Sequence, residues 1–384
     1  MAKPTQSNTS AAFTRSSCNS NAMHRDDGSR IPSMANSWVL LHGGALGDLV
    51  LTVQLALRVL LLRYERPLGS PGWCEARPLH LPIGPRGDGG EGVGAVPLHI
   101  VSRVALGDLS ACRPPIVWQS SEGRGLHWLF AENNGAPPPQ LIEIVRGQRL
   151  LSALGGPETG VHQRILTLEP AELYSFEPRR KTVSPRHITA QWQTQLEAQG
   201  LLFPKCIRRR PAQRCVGVPG ALRERGRRLV QVAGGDDGYV IIHPGSGGRA
   251  KCWPLARFVD VGRRLRDAGL SVCFVVGPVE LENWPQSTWS ALLDAFVLLS
   301  SPSPDDLVAL LAEARAFVGN DSGPSHLAAL LGTPTVVVFG PTAADVWQPL
   351  GARVVTFQGN PGRWPENWGV ESTHVVSAAL DSMS

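Results

Sequence analysis

Short apolar runs alternate with amphipathic stretches through the second half of the chain. Runs at 239–242, 272–276 and 335–339 have the length and composition of buried strands. Residues 254–268 repeat apolar side chains at helical spacing and precede Gly269, a common helix stop. Strands and helices that alternate through short connections are typical of a parallel, doubly wound sheet. The pattern therefore predicts an α/β domain.

Further elements complete that domain. Ser303 precedes Pro304 and two aspartates, which predicts a capped helix with negative charge near the positive end of its dipole. The remaining apolar runs predict strands at 296–299 and 316–318 and helices at 323–331 and 372–380.

The front half begins clearly and continues less regularly. Residues 37–41 predict a strand, 42–48 a glycine turn and 49–63 a helix, the opening unit of another α/β layer. A glycine-dense stretch at 84–94 predicts a loop, and GGDDG (234–238) predicts a hinge between domains. Other predicted elements are strands at 99–104 and 116–119 and helices at 187–200 and 222–233.

The composition fits a soluble globular protein of two domains. Of 384 residues, 42% are hydrophobic and 18% are charged, so each half can bury its own core. We predict a disordered extension over 1–36, one domain over 37–235 and a second over 239–384. No apolar run approaches the ~20 residues that span a bilayer, and the first 33 residues lack the apolar stretch of a secretory signal, so we predict neither feature. Seven scattered cysteines without a C-x-x-C pair predict no disulfide framework, no zinc cluster and a cytoplasmic location.

Charge is divided unevenly between the halves. Residues 241–384 hold 9 Lys and Arg against 13 Asp and Glu, which leaves 28 against 19 of the totals 37 and 32 for residues 1–240. The front half is therefore +9 and the back half −4, which favours an anionic partner for the front half. An arginine-rich coding bias explains the excess equally well. No motif that reads nucleic acid is present, so we predict no nucleic-acid partner.

The glycine turn of the front half ends in a carboxylate. Asp48 follows Gly47 at a strand-to-helix turn, the edge of a parallel sheet where ligands bind. A carboxylate there either caps the helix amides, which position alone favours, or acts as a base on a bound hydroxyl. Gly44 and Gly47 match only part of the dinucleotide-binding pattern G-x-G-x-x-G, so that interpretation is weak.

One loop of the back half has the chemistry of a phosphate site. In HPGSGGRAK (243–251), backbone amides, the Ser246 hydroxyl and the Lys251 ammonium follow a predicted strand. A solvated surface loop is the alternative. Lys251 is one of four lysines in an arginine-rich chain, which mildly favours a point-charge role. The P-loop pattern is absent, which argues against phosphoryl transfer from ATP.

The next strand ends add polar residues. Glu280 ends VVGPVE (275–280), where an acid can accept hydrogen bonds from a ribose, although a solvated loop acid is the simpler interpretation. GNDSGPSH (319–326) places Asp321, Ser322 and His326 around a helix start, which can hold a hydroxylated, phosphorylated ligand. A helix cap and a buried structural histidine explain these residues equally well.

Four segments, in this order and spacing, resemble glycosyltransferase family 9, the ADP-heptose:lipopolysaccharide heptosyltransferases. They are GALGDLVLT (44–52), HPGSGGRAKCWP (243–254), VVGPVE (275–280) and VGNDSGPSHLAALLGTPTVVVFGPT (318–342). The last segment is long and specific, whereas the first three would be weak if found singly.

The resemblance implies an α/β fold of the GT-B type, in which two Rossmann-like domains face each other across a cleft. The front domain would bind the acceptor and the back domain the nucleotide sugar. The family's catalytic base falls on Asp48, and Gly44 and Gly47 form the acceptor-side loop. The implied donor-binding residues are Ser246 and Lys251 at the diphosphate, Glu280 at the ribose, and Asp321, Ser322, Gly323 and His326 around the sugar and phosphates.

The implied function is inverting, metal-independent transfer of a sugar, foremost heptose from ADP-heptose, to a lipopolysaccharide-core or related glycan. No metal and no cofactor are predicted. The partners would be the nucleotide-sugar donor and an anionic glycan or glycolipid, met in peripheral contact with the cytoplasmic face of the inner membrane. Two alternatives stay open: a nucleotide-sugar epimerase of the same architecture and a catalytically silent sugar-nucleotide-binding protein.

Overall fold

The computed structural model describes residues 37–64, 97–132, 135–179, 185–201, 203, 216–236, 238–360 and 368–384. The predicted extension over 1–36 and the predicted loop over 84–94 lie outside these residues. Two separate parallel sheets organise the described chain. We call each sheet with its helices a lobe.

The first lobe contains a five-stranded sheet in the order β3-β2-β1-β4-β5. Its strands are β1 (Trp38–His42), β2 (Leu98–Ser102), β3 (Ile116–Ser120), β4 (Arg149–Ala153) and β5 (Glu172–Ser175). The helices of this part of the chain are α1 (Leu46–Tyr64), α2 (Pro139–Val145), α3 (Gly160–Leu166), α4 (Ile188–Glu197) and α5 (Gly220–Val232).

The second lobe contains a six-stranded sheet in the order β11-β10-β9-β6-β7-β8. Its strands are β6 (Val240–His243), β7 (Val272–Val276), β8 (Val297–Ser300), β9 (Ala316–Asn320), β10 (Thr335–Phe339) and β11 (Val354–Gln358). Its helices are α6 (Leu255–Asp267), α7 (Pro278–Asn283), α8 (Gln286–Ala295), α9 (Pro304–Glu313), α10 (Gly323–Leu330), α11 (Ala344–Trp347) and α12 (Ser372–Met383).

Both sheets have the strand order of a Rossmann fold. In each sheet the order reverses between the first and fourth strands of the lobe, which are β1 and β4 in one and β6 and β9 in the other. Ligands of open parallel sheets bind outside the carboxyl ends of the strands at this switch point. The loops after β1, β6 and β9 are therefore the places where a site is expected.

The two lobes touch through the starts of two helices. A Cβ atom at Gly323, the first residue of α10, would lie 2.7 Å from the Leu46 Cβ atom at the start of α1. Farther along α1, the Gln54 side-chain amide donates to the Leu350 carbonyl at 2.6 Å. Buried apolar residues of both lobes belong to one hydrophobic cluster. The switch points of the two sheets consequently face each other.

The predicted elements of the back half agree with the structure within a few residues. The strands predicted at 272–276 and 335–339 have these bounds. The predicted cap is confirmed, because the Ser303 hydroxyl accepts a hydrogen bond from the Asp306 amide at 3.1 Å. Strands β4, β5 and β11 were not predicted.

Helix α5 was assigned to the front domain, yet it packs on α9 of the second lobe. The Arg225 guanidinium pairs with the Asp306 carboxylate at 2.7 Å, and Gly226 brings the two helix backbones close together. The domain bounds at 235 and 239 stay a prediction. None of the described helices is long and apolar enough to cross a membrane.

Candidate active site

The switch point of the second lobe is fixed by Asn320, which ends β9 and is fully buried. Its Oδ1 atom accepts from the Trp253 amide at 2.9 Å, and its Nδ2 atom donates to the carbonyls of Pro244 at 2.7 Å and Gly245 at 3.3 Å. One side chain thus binds both ends of the 243–254 loop. Asn320 is not among the predicted site residues, although an amide side chain at the end of an apolar strand is a signal that the sequence contains.

Asp321 is the centre of the charged groups in this lobe. Its Oδ2 atom accepts from the Lys251 ammonium and the Thr342 hydroxyl, both at 2.7 Å, and its Oδ1 atom lies 3.8 Å from His326 Nε2. Burial alone would raise the pKa of Asp321, but its contacts with His326, Lys251 and Thr342 outweigh burial and lower the pKa to about 2. The carboxylate is therefore charged, and the Lys251 ammonium is held in one place.

Ser246 and Glu280 lie buried beside this network. The Ser246 hydroxyl donates to the Asp321 carbonyl at 2.7 Å. The Glu280 Oε2 atom accepts from the Gly277 amide at 2.8 Å and so caps α7. A Cβ atom at Gly245 would overlap the Glu280 carboxylate, so any side chain there would displace Glu280. The ribose contact of Glu280 stays a prediction.

The start of α10 carries Ser322 and His326 to the contact between lobes. The Ser322 hydroxyl lies 3.2 Å from the Ser325 hydroxyl, which donates to the Asn320 carbonyl at 2.5 Å. His326 is buried, and its Cδ2 atom would lie 3.0 Å from a Cβ atom on Gly47. Because Gly47 precedes Asp48, this contact brings the turn that carries the predicted base against His326 of the Asp321 network.

Asp48 itself is held by an arginine. It lies in the first turn of α1, and its Oδ2 atom accepts from Arg179 Nη2 at 2.7 Å and Arg179 Nε at 3.2 Å. Arg179, which follows β5, is not among the predicted site residues. The two residues are 131 positions apart, and nothing local in the sequence links them.

A neutral histidine, His42, lies near Asp48, and both side chains pack against Gly44. His42 ends β1, and its Nδ1 atom accepts from the Gly44 amide at 3.1 Å, which leaves the ring proton on Nε2. Burial lowers the pKa of His42 to about 4, although the Asp48 charge opposes the shift. Its Nε2 atom is buried and has no hydrogen-bond partner among the described residues. Gly44 is needed because a Cβ atom there would lie 2.9 Å from His42 Cε1.

The site therefore offers a carboxylate from the first lobe and an ammonium, hydroxyls and helix amides from the second. A carboxylate can accept a proton from a hydroxyl, and the opposite groups can stabilise a diphosphate. In the described part of the chain, no cluster of three or more His, Cys, Asp or Glu side chains is arranged to hold a metal ion.

Two facing Rossmann-like lobes with polar switch points define the GT-B class of protein fold. Solved structures of this class superpose on nearly the whole chain. A glycosyltransferase family 9 protein from Veillonella parvula has a TM-score of 0.60 at 16% identity over 90% of this chain and 97% of that one. The ADP-heptose lps heptosyltransferase II of Escherichia coli has a TM-score of 0.60 at 16% identity over 90% of this chain and 98% of that one. The predicted GT-B fold is confirmed.

Sequence comparison points to a particular family within that class. Residues 184–368 match the model of glycosyltransferase family 9 (heptosyltransferase), so the resemblance inferred from the motifs is confirmed over this stretch. Lipopolysaccharide heptosyltransferase 3 of Escherichia coli is 31% identical over 150 residues, 38% of this chain and 44% of that protein. Lipopolysaccharide heptosyltransferase 2 of strain K12 is 33% identical over 119 residues, 28% and 33% of the two chains. The matched part spans less than half the length of these relatives.

Proposed function

We propose that the protein is an inverting, metal-independent glycosyltransferase that moves a sugar from a nucleotide sugar to a glycan. The observation that supports this proposal is the close approach of Gly47 to His326, which lies 3.8 Å from the Asp321 carboxylate. The turn that carries Asp48 in one lobe thus meets the helix start of the other, beside the Lys251 and Asp321 pair. Displacement at an anomeric carbon needs a base beside the attacking hydroxyl and positive charge beside the leaving group.

In the proposed reaction, Asp48 takes the proton of an acceptor hydroxyl while that oxygen bonds to the anomeric carbon. The bond from this carbon to the diphosphate breaks, and the diphosphate leaves with the electron pair. The Lys251 ammonium, the Ser246 hydroxyl and the amides at the start of α10 stabilise its charge. Each such preplaced donor contributes about 3 kcal/mol to lowering the barrier.

We propose ADP-heptose as the donor and a lipopolysaccharide-core glycan as the acceptor, because the relatives are named for these molecules. Glu280 would contact the ribose, Asp321, Ser322, Gly323 and His326 would surround the sugar and phosphates, and Gly44 and Gly47 would face the acceptor. We further propose that the acceptor is met at the cytoplasmic face of the inner membrane. Sedimentation with vesicles of anionic lipid tests this location, and no binding would contradict it.

The function is tested by incubating the protein with ADP-heptose and a lipopolysaccharide core that lacks heptose. We expect ADP release and an acceptor heavier by one heptose, with less product from UDP- or GDP-sugars. A changed sugar after incubation with donor alone would favour the epimerase. Binding of ADP without turnover on any acceptor would favour the silent binding protein.

A further inference from the structure

The ion pair of Asp48 and Arg179 joins a sheltered group to an open one. The Asp48 side chain is 13% exposed, whereas the Arg179 side chain is 67% exposed. Two guanidinium nitrogens bind the same carboxylate oxygen. The predicted base thus has one oxygen occupied in this structure, by a cation that solvent reaches.

A base must present a free lone pair to the hydroxyl that it deprotonates. Asp48 lies in the first turn of α1, and the Gly44 turn packs against it. A Cβ atom built on Gly44 would lie 3.3 Å from Asp48 Oδ2. Arg179 is long, exposed and four residues past the end of β5. The arginine is consequently the partner that can leave the pair.

An arginine leaves such a pair readily when another oxyanion replaces the carboxylate. The guanidinium fork matches phosphate and carboxylate geometry alike. A second cation at the same edge adds to the attraction, since exposed Arg103 follows β2, the neighbour of β1. The front half also carries the excess of positive charge.

We propose that Arg179 is an anion subsite for the acceptor. Until an anion binds, Arg179 stays paired with Asp48, and we call this second role the latch. A phosphate or carboxylate group of the acceptor, close to the hydroxyl to be glycosylated, binds the guanidinium and so frees the Oδ2 atom of Asp48. Arg179 is then a positioning residue that selects acceptors carrying an oxyanion. This inference rests on the proposed function for the role of Asp48, but the anion subsite itself is testable without turnover.

The test is a cycle of four proteins: the natural chain, Asp48→Asn, Arg179→Gln and the double variant. Inorganic phosphate is titrated into each and binding is followed by calorimetry. Asp48→Asn should bind phosphate about fivefold more tightly, because the internal carboxylate no longer competes for the guanidinium. Arg179→Gln should abolish this gain, so the double variant should equal Arg179→Gln. A gain that comes from phosphate bound elsewhere would persist in the double variant.

Two results would overturn the proposal. One is equal phosphate affinity in the natural chain and Asp48→Asn. The other is a gain that persists in the double variant, since it would then come from removing a negative charge and not from Arg179. A parallel titration with acetate distinguishes a carboxylate from a phosphate as the preferred group. Equal affinity of all four proteins for both anions, which we call a flat cycle, rejects the subsite. Arg179→Lys should restore only part of the phosphate binding, because a point charge lacks the fork.

The outcome is separable from that of the proposed function. If transfer occurs and the phosphate cycle is flat, the latch is wrong and the function stands. If the cycle holds and no acceptor is glycosylated, the anion subsite stands and the function fails. If both hold, Arg179→Gln should raise the KM of a phosphorylated acceptor about fivefold and leave that of its dephosphorylated form unchanged.

Discussion

The two switch points are built in different ways. In the second lobe, buried Asn320 binds the glycine loop. Buried Asp321 binds the partly exposed side chains of Lys251 and Thr342. In the first lobe, a glycine turn carries Asp48, whose cationic partner is exposed. Buried polar networks fix one geometry, whereas exposed ion pairs contribute little and exchange easily. The difference indicates a preorganised second lobe and an adaptable first lobe, which are the proposed donor and acceptor sides.

The largest effect on this difference should come from removing the Asn320 side chain, whose hydrogen bonds hold the 243–254 loop and which we call the clamp. Asn320→Ala leaves two carbonyls and one amide without their partner in a buried place. We expect the free energy of unfolding to fall by about 3 to 5 kcal/mol. Urea denaturation measures it. Asn283→Ala, at an exposed position of α7, is the matched control and should cost under about 1 kcal/mol. A similar small loss for both variants would contradict the clamp.

Acid should act on the buried histidines and on Asp321 at different pH values. Burial lowers the pKa of His42 and of His187 from 6.5 to about 4, so the folded chain stays unprotonated where the unfolded chain binds protons. Stability should therefore fall as pH drops from 6.5 to 4, by on the order of 3 kcal/mol for each histidine. The stabilisation linked to Asp321, whose pKa is lowered from 3.8 to about 2, should be lost only below that window.

The check is urea denaturation at several pH values. His42→Asn retains an acceptor for the Gly44 amide and should reduce the slope of unfolding free energy against pH, between 6.5 and 4, by up to about 1.4 kcal/mol per pH unit. His374→Gln, on the exposed side of α12, is the control. An unchanged slope in His42→Asn would show that this ring is not kept neutral by the fold.

Lys251 tests the donor side alone. Lys251→Ala removes the ammonium and leaves the Asp321 carboxylate facing a bound diphosphate. The affinity for ADP should fall about 30-fold, the equivalent of about 2 kcal/mol. Calorimetry measures it, with Arg249→Ala, an exposed cation of the same loop, as the control. Equal ADP affinity in Lys251→Ala and the natural chain would remove Lys251 from the donor site.

The smallest expected effect concerns the contact between lobes. In Gly323→Ala the new Cβ would lie 2.7 Å from the Leu46 Cβ atom, so the lobes must shift apart. We expect the kcat/KM for transfer to fall about tenfold, because catalytic groups tolerate little misplacement. Gly220→Ala, where the new Cβ atom meets open space, should behave like the natural chain. Full activity in Gly323→Ala would mean that this contact does not position the site.

Strands with apolar, β-branched cores could be predicted from the sequence, and mixed ones could not. Val272–Val276 and Thr335–Phe339 are fully buried and follow loop residues, so hydrophobicity marks them. Val354–Gln358 lies at the edge of the sheet and is half exposed, and Arg149–Ala153 begins with a charge. Partial burial admits polar side chains in Val354–Gln358, whereas in the mostly buried Arg149–Ala153 a charge and a serine interrupt the apolar run.

The candidate site also has residues that could be predicted from the sequence and residues that could not. The rule that ligands bind at strand ends led from the sequence to Asp48, Lys251 and Asp321. This rule does not identify the partners that bind these residues. Arg179 reaches Asp48 only because of the path the chain takes after β5, and Lys251 reaches Asp321 across 70 positions. Contacts between distant segments depend on the packed fold, which no local pattern encodes.

The central claim is that Asp48 serves the chemical step on a donor held by the other lobe. The most direct test measures turnover and ADP affinity together in Asp48→Asn. We predict that kcat falls about 10²- to 10⁴-fold while the Kd for ADP changes less than about twofold. Unaltered turnover in this variant would contradict the account.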